Sequence, residues 1–294
     1  MPAHKKRNAA ARRVDKKSAR RVAVLEPPII TLLTDFGVQD YFVGAVKGVI
    51  LSVNRAARII DITHEIPKHD VEAAAFTLLA VAGSFPVGTI HLAVVDPGVG
   101  STRKPLLVQT GGQFFVGPDN GIFSYLMEDD AAVYEVTNDD YFRKPLSQTF
   151  HGRDVFAPVA AALSSGITPE SFGKRTKDWV TLPALCPKKL KDRIEGRVIH
   201  IDRFGNCITN LTRADVNVEK IGSTIQLKVG RTRINSFRRF YGEKAEGDHG
   251  PFAIWGSAGF LEISIANRSA AESLRTKKGE TVVVLRLNEG GSVS

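Results

Sequence analysis

Three short apolar runs, Ile29–Thr34, Arg58–Ile62 and Thr89–Val95, are separated by two segments of helical periodicity, and that alternation leaves few folds open. A run of five to seven mostly apolar, β-branched residues reads as a buried strand. The intervening segments, YFVGAVKGVILSV at 41–53 and VEAAAFTLLAVAGSF after Asp70, read as helices. Asp70 suits an N-cap, with Glu72 in the first turn. Strand, helix, strand, helix, strand implies a parallel sheet covered by helices. Pro105–Thr110 and Gln113–Gly117 read as further strands, Pro118-Asp119-Asn120-Gly121 as a turn, and VFAPVAAALSSG as a helix ending at Gly166.

The texture changes near residues 177–195. A Pro/Lys-rich linker, LPALCPKKLKD, leads into short β-type runs at 196–201, 224–229, 251–254, 260–265 and 281–287, with one helical stretch at Ala270–Leu274. The expected architecture is an N-terminal Rossmann-like α/β domain over 27–180, with a mainly parallel sheet. A smaller C-terminal β-barrel-like domain follows over 193–294.

The net charge of +9 suggests a nucleic-acid partner, but its distribution argues otherwise. Residues 1–26 hold nine Lys/Arg against two acids, so +7 of the +9 belongs to this tail. Ala-rich and poor in apolar residues, the tail cannot bury enough surface to offset ordering entropy and is expected to be disordered. A weak nucleic-acid contact is the partner role open to it. No stretch approaches the roughly 20 apolar residues of a membrane span. The two cysteines, Cys186 and Cys207, lack metal-type or redox-type spacing, which fits reduced thiols in the cytoplasm.

Ligands of open α/β sheets bind beyond the carboxyl ends of the strands. Asp35, the His64–Asp70 loop and Asp96 follow three predicted strands, and His151 and Asp154 share a fourth loop. Each also has a plain structural reading: Asp35 as a turn cap, Asp96-Pro97-Gly98 as a turn opener, His151 and Asp154 as caps of the next helix. Neither GxxxxGK[ST] nor a strand-borne GxGxxG is present, and the His and Asp residues form no compact metal-ligand pair.

Together these segments resemble the adenosine-forming S-adenosyl-L-methionine (SAM) hydrolases, the SAM hydroxide adenosyltransferases, relatives of fluorinase and chlorinase. The resemblance rests on TDFG (34–37), DITHEIP (61–67), HDVEAAA (69–75), VVDPGVGSTRK (94–104), PDNG (118–121) and FHGRDVFAP (150–158). It continues through IDRFGNCITN (201–210) and GFLEISIANRSAAESL (259–274). One such motif is weak; eight in order over residues 28–290 are specific. The resemblance implies a homotrimer with SAM held between the α/β domain of one subunit and the β domain of its neighbour. It implies an Asp-Arg-His set around the attacking water at Asp96, Arg103 and His151. It also implies that Asp35 holds the ribose hydroxyls, with Phe36 and His69 beside it. Asp202 and Asn206 would hold the methionine end with Phe204 packed nearby, and Asn267 and Arg268 would reach adenine. Fluorinase has a tyrosine–proline pair where this chain has Asp96-Pro97, which favours hydrolysis over halogenation. The Asn267-Arg268 pair is closer to the halogenase form.

The implied reaction suits these residues. Attack at ribose C5′ of a sulfonium expels neutral methionine, so the leaving group needs neither proton nor Lewis acid, and no metal or other cofactor is expected. Water is the poor partner: it must be held in line and relieved of a proton. Either Asp96 or His151 could take that proton. A SAM-dependent halogenase and a non-catalytic SAM-binding module are the competing readings of the same pocket.

Overall fold

The computed structural model describes residues 26–243 and 250–286. The expected disordered tail and its nucleic-acid contact lie, except for Glu26, outside them.

The first half builds β1 (Ile29–Thr34), α1 (Phe42–Val53), β2 (Arg58–Thr63), α2 (Val71–Ala82), β3 (Ile90–Val94), β4 (Pro105–Thr110), β5 (Gln113–Pro118), β6 (Ala132–Val136), α3 (Ala157–Ser164) and β7 (Gly173–Arg175). Their strands form one seven-stranded sheet in the order β2-β1-β3-β5-β4-β6-β7. The β2, β1, β3 and β5 strands run parallel, as crossover helices demand. The other half is antiparallel. That departs from the mainly parallel sheet expected. The cause is the two-residue link Gly111-Gly112 between β4 and β5, which permits only a hairpin. Ile30 and Leu32 pack beneath α1 and α3, while Leu33, Ala93 and Val95 pack against α2, so the central strands are buried on both faces.

The second half adds β8 (Lys188–Lys189), β9 (Arg193–Ile201), β10 (Cys207–Thr212), β11 (Ile225–Val229), β12 (Thr232–Ile234), β13 (Phe237–Arg238), β14 (Phe252–Trp255), β15 (Phe260–Ser264), α4 (Ala270–Leu274) and β16 (Thr281–Arg286). These strands form a second sheet that curls into a half-barrel. The nine-residue β9 bridges its two parts, pairing with β16 through Arg193–Arg197 and with β10 through Val198–Ile201.

The two sheets meet at α2. Asp70 caps this helix by accepting from Ala73 N at 2.9 Å and also takes Lys278 Nζ at 2.6 Å. Two residues on, in the first turn, Glu72 takes Arg197 Nη2 at 2.5 Å and Lys278 Nζ at 3.2 Å. Burial works to raise the Glu72 pKa, but the bonds from Arg197 and Lys278 outweigh it and hold the carboxyl below its usual value. The ring of Phe76 stacks on His200 of β9 at 5.0 Å, adding apolar contact to the ionic clamp. No helix among the described residues is long and apolar enough to cross a membrane.

Candidate active site

In the parallel register Thr34 pairs with Val94, and Leu33 with Thr63. Asp35, His64 and Asp96 therefore issue from neighbouring strand ends on one edge of the sheet. The β3–β4 loop then folds back through Val99 N to Asp96 O (3.2 Å) and Ser101 N to Gly98 O (3.1 Å), returning Arg103 to Asp96. Gly100, at φ 78°, lets this loop press on the loop before His151: a Cβ there would sit 2.3 Å from Gln148 O.

The result is a cleft of about 330 Å³, a size suited to a small molecule. Asp35, Phe36, His69, Asp96 and His151 line it, together with Lys68, Val99 and Thr149, which sequence patterns did not single out. Phe36, Phe42 and Phe150 give it an aromatic wall, with ring centroids 5.2–5.9 Å apart. Asp35 Oδ2 accepts from the main-chain N–H of His69 at 2.9 Å. That bond helps hold His69 in a left-handed conformation (φ 64°), uncommon for a residue other than glycine.

Arg103 lies behind the lining and joins two of its polar members, Asp96 and His151. Its Nε reaches both Asp96 oxygens at 3.0 and 3.1 Å, and its Nη2 reaches Asp96 Oδ2 at 2.5 Å. The same Nη2 is 2.8 Å from His151 Nδ1. The guanidinium lies 5.1 Å from the ring centre of Phe156, which excludes water from its other face. The Asp96 and Arg103 side chains are 5 % and 9 % exposed, so the pair interacts with little screening. Burial, reinforced by the charge of Arg103, lowers the His151 pKa below 6.5.

The tautomer of His151 follows from its partner. A guanidinium donates and never accepts, so Nδ1 offers its lone pair and the neutral ring carries hydrogen on Nε2. That Nε2 is buried and has no hydrogen-bond partner. The positioning of His151 begins with its backbone. It opens a π-turn, Gly152–Phe156, that runs into α3. Asp154 within that turn is fully buried and faces away from the cleft. Burial works to raise its pKa, but bonds from Arg153 (2.7 and 2.8 Å) and Ser147 N (2.9 Å) lower it. It anchors the loop.

Asp202, Phe204, Asn206, Asn267 and Arg268 fall elsewhere, around a cavity of about 580 Å³ in the second sheet, with Tyr241 as an additional lining residue. Asp202 Oδ1 accepts from Phe204 N (2.9 Å) and Asn206 N (2.8 Å), and Oδ2 from Asn206 Nδ2 (2.8 Å). Gly205, at φ 82°, lies so close to Ser269 that a Cβ would stand 2.1 Å from its hydroxyl. Phe204 is 78 % exposed. Within one chain the two groups of predicted residues thus line separate cavities. Among the described residues, no three His, Cys, Asp or Glu side chains converge as a metal-ion site.

Comparison with known proteins places this geometry. Residues 30–173 match the SAM hydroxide adenosyltransferase N-terminal domain, and residues 196–283 match the C-terminal domain of the same family. The chain belongs to the SAM hydroxide adenosyltransferase family. An (R)-S-adenosyl-L-methionine hydrolase of Thermus thermophilus is 38 % identical over 265 residues, covering 87 % of this chain and 99 % of that protein. The protein of the same name from Methanocaldococcus jannaschii is 39 % identical over 247 residues, covering 80 % and 88 %. A fluorinase of Nocardia brasiliensis is more distant, 26 % identical over 231 residues, covering 69 % and 77 %. The crystal structure of an uncharacterized conserved protein from Thermotoga maritima superposes with a TM-score of 0.80 at 34 % identity, covering 87 % of this chain and all of that one.

Proposed function

We propose that this chain hydrolyses S-adenosyl-L-methionine to adenosine and L-methionine, without a cofactor, at the cleft of Asp96, Arg103 and His151. The observation that carries the reading is the shared Nη2 of Arg103, which fixes a carboxylate and an imidazole beside each other at the carboxyl edge of the sheet.

A water oxygen attacks ribose C5′ as the C5′–S bond breaks. The bonding pair returns to sulfur, which leaves as a neutral thioether. The water proton passes to Asp96, because His151 has its Nδ1 lone pair engaged by Arg103 and offers only Nε2–H. His151, accepting from Arg103 through Nδ1, holds the guanidinium in place, and Arg103 orients Asp96 toward the water. Charge is neutralised as the oxygen approaches a sulfonium-bearing carbon, so a dry, preorganised cleft favours the transition state.

In this reading Asp35 holds the ribose hydroxyls beside Phe36 and His69. Asp202 and Asn206 hold the methionine end near Phe204, and Asn267 and Arg268 reach adenine. Those five residues line another cavity of the chain, so they act on the SAM of a neighbouring copy in a homotrimer. The architecture is then a Rossmann-like domain followed by a β-barrel-like one, in an enzyme working in the cytoplasm.

The test is incubation with SAM and chromatography of the products, with and without chloride, fluoride and chelator. Adenosine and methionine, independent of all three, are expected. A 5′-halo-5′-deoxyadenosine would assign a halogenase, and binding without turnover would leave a SAM-binding module.

A further inference from the structure

The DITH segment has no place in the mechanism above, yet His64 is only 5 % exposed and sits in a chain of polar contacts. The main-chain N–H of Phe36 donates to Thr34 Oγ1 at 3.3 Å, and Thr34 Oγ1 lies 2.9 Å from His64 Nδ1. His64 Nε2 lies 3.1 Å from Asp61 Oδ1, within ion-pair range but off the line of an ideal hydrogen bond. Asp61 Oδ2 takes Lys47 Nζ at 2.6 Å.

This chain has one consistent sense. A carboxylate selects the tautomer with hydrogen on the facing nitrogen, here Nε2. In the neutral ring Nδ1 must then accept, so the Thr34 hydroxyl points its hydrogen at His64. Its lone pairs are left for the N–H of Phe36. Two main-chain bonds reinforce the junction, Gly37 N to His64 O at 2.8 Å and Ile66 N to Thr34 O at 3.4 Å. The network ends on Asp35 and Phe36, and Asp35 reaches across to His69 N on the same loop as His64.

We propose that His64 is a positioning residue for the substrate. Through Thr34, and held by Asp61, it sets the backbone that aims Asp35 and Phe36 into the cleft, so it governs SAM affinity and not the chemical step. The proposal rests on the reading of Asp35 as the ribose-holding acid.

The experiment uses the full chain with Thr34→Val, Thr34→Ser, His64→Asn and Asp35→Ala. It reads kcat and KM for SAM, SAM binding by calorimetry, and Tm. Thr34→Val keeps the shape of the buried side chain and removes only the hydroxyl, so it reports even if His64→Asn fails to fold. Expected is a rise of about 5–20-fold in KM and Kd for Thr34→Val and His64→Asn, with kcat within about threefold, the size of losing one net hydrogen bond or slightly more. Thr34→Ser restores wild-type KM. Lower Tm with unchanged KM, while Asp35→Ala raises KM, overturns the proposal and leaves the Asp35 reading intact. A fall in kcat at constant KM also overturns it. If Asp35→Ala changes neither KM nor Kd, the reading of Asp35 fails and the proposal falls with it.

Discussion

Arg103 uses one guanidinium nitrogen, Nη2, to contact Asp96 and His151 at once, at 2.5 and 2.8 Å. An ammonium group has no planar fork and cannot reproduce both contacts while Nε holds the second carboxylate oxygen. Arg103→Lys is therefore expected to lower kcat by about 10²–10³, comparable to losing a preorganised donor, with SAM affinity nearly unchanged. Steady-state kinetics with calorimetric binding check it.

The same geometry separates the roles of Asp96 and His151. Asn in place of His151 still presents an oxygen where Nδ1 accepts from Arg103, so His151→Asn should keep turnover within about tenfold of wild type. Asp96→Asn removes the proton acceptor and should cost about 10²–10⁴ in kcat. Because burial and the charge of Arg103 lower the His151 pKa, any limb that protonation of His151 puts on kcat should lie below the pH of a free imidazole. Steady-state kcat of both variants, with pH–rate profiles of wild type against His151→Asn, reads this directly.

His91 makes a prediction about stability. It is fully buried beneath Phe85 and Phe115, and burial pushes its pKa down to about 4. The unfolded chain takes up a proton near pH 6.5, which the folded ring refuses until about pH 4. The contribution is therefore present above pH 6.5 and lost as pH falls across that window, by roughly 3 kcal/mol at full extent. Tm measured from pH 7 to pH 4.5 should fall in wild type and fall less in His91→Asn.

Much of this arrangement could be read from residue order. The β-branched Ile29–Thr34 run and the Asp70 cap of α2 are local signals, and both elements form where those signals stand. Asp35 and Asp96 were visible as acids at the ends of apolar runs. Other features are not local. The β6 and β10 strands are short and mixed in polarity, and tertiary pairing makes them strands. The Arg103 bridge depends on a loop closing over Gly100, and the direction of His151 depends on a π-turn. Neither leaves a periodic trace. The half-barrel residues around Asp202 carry no sign in their spacing that they line a cavity separate from Asp96.

Gly205 tests that second cavity. Any side chain there collides with Ser269, so Gly205→Ala must displace the Asp202–Asn206 loop or the start of α4. The expected result is a rise of tenfold or more in KM for SAM, with the first sheet intact by hydrogen exchange. Unchanged KM would remove the Asp202 loop from substrate binding.

The π-turn at Gly152–Phe156 has a consequence for how this protein can change. Compared with a regular helix it holds one surplus residue, and one helical residue corresponds to a rotation of about 100°. Deleting a single residue there, harmless to composition and core volume, would let the helix run regularly and rotate either His151 away from Arg103 or Phe156 from beneath it. The catalytic loop and α3 are therefore locked in length. Descendants of this sequence can exchange side chains along the segment far more freely than they can gain or lose a residue in it.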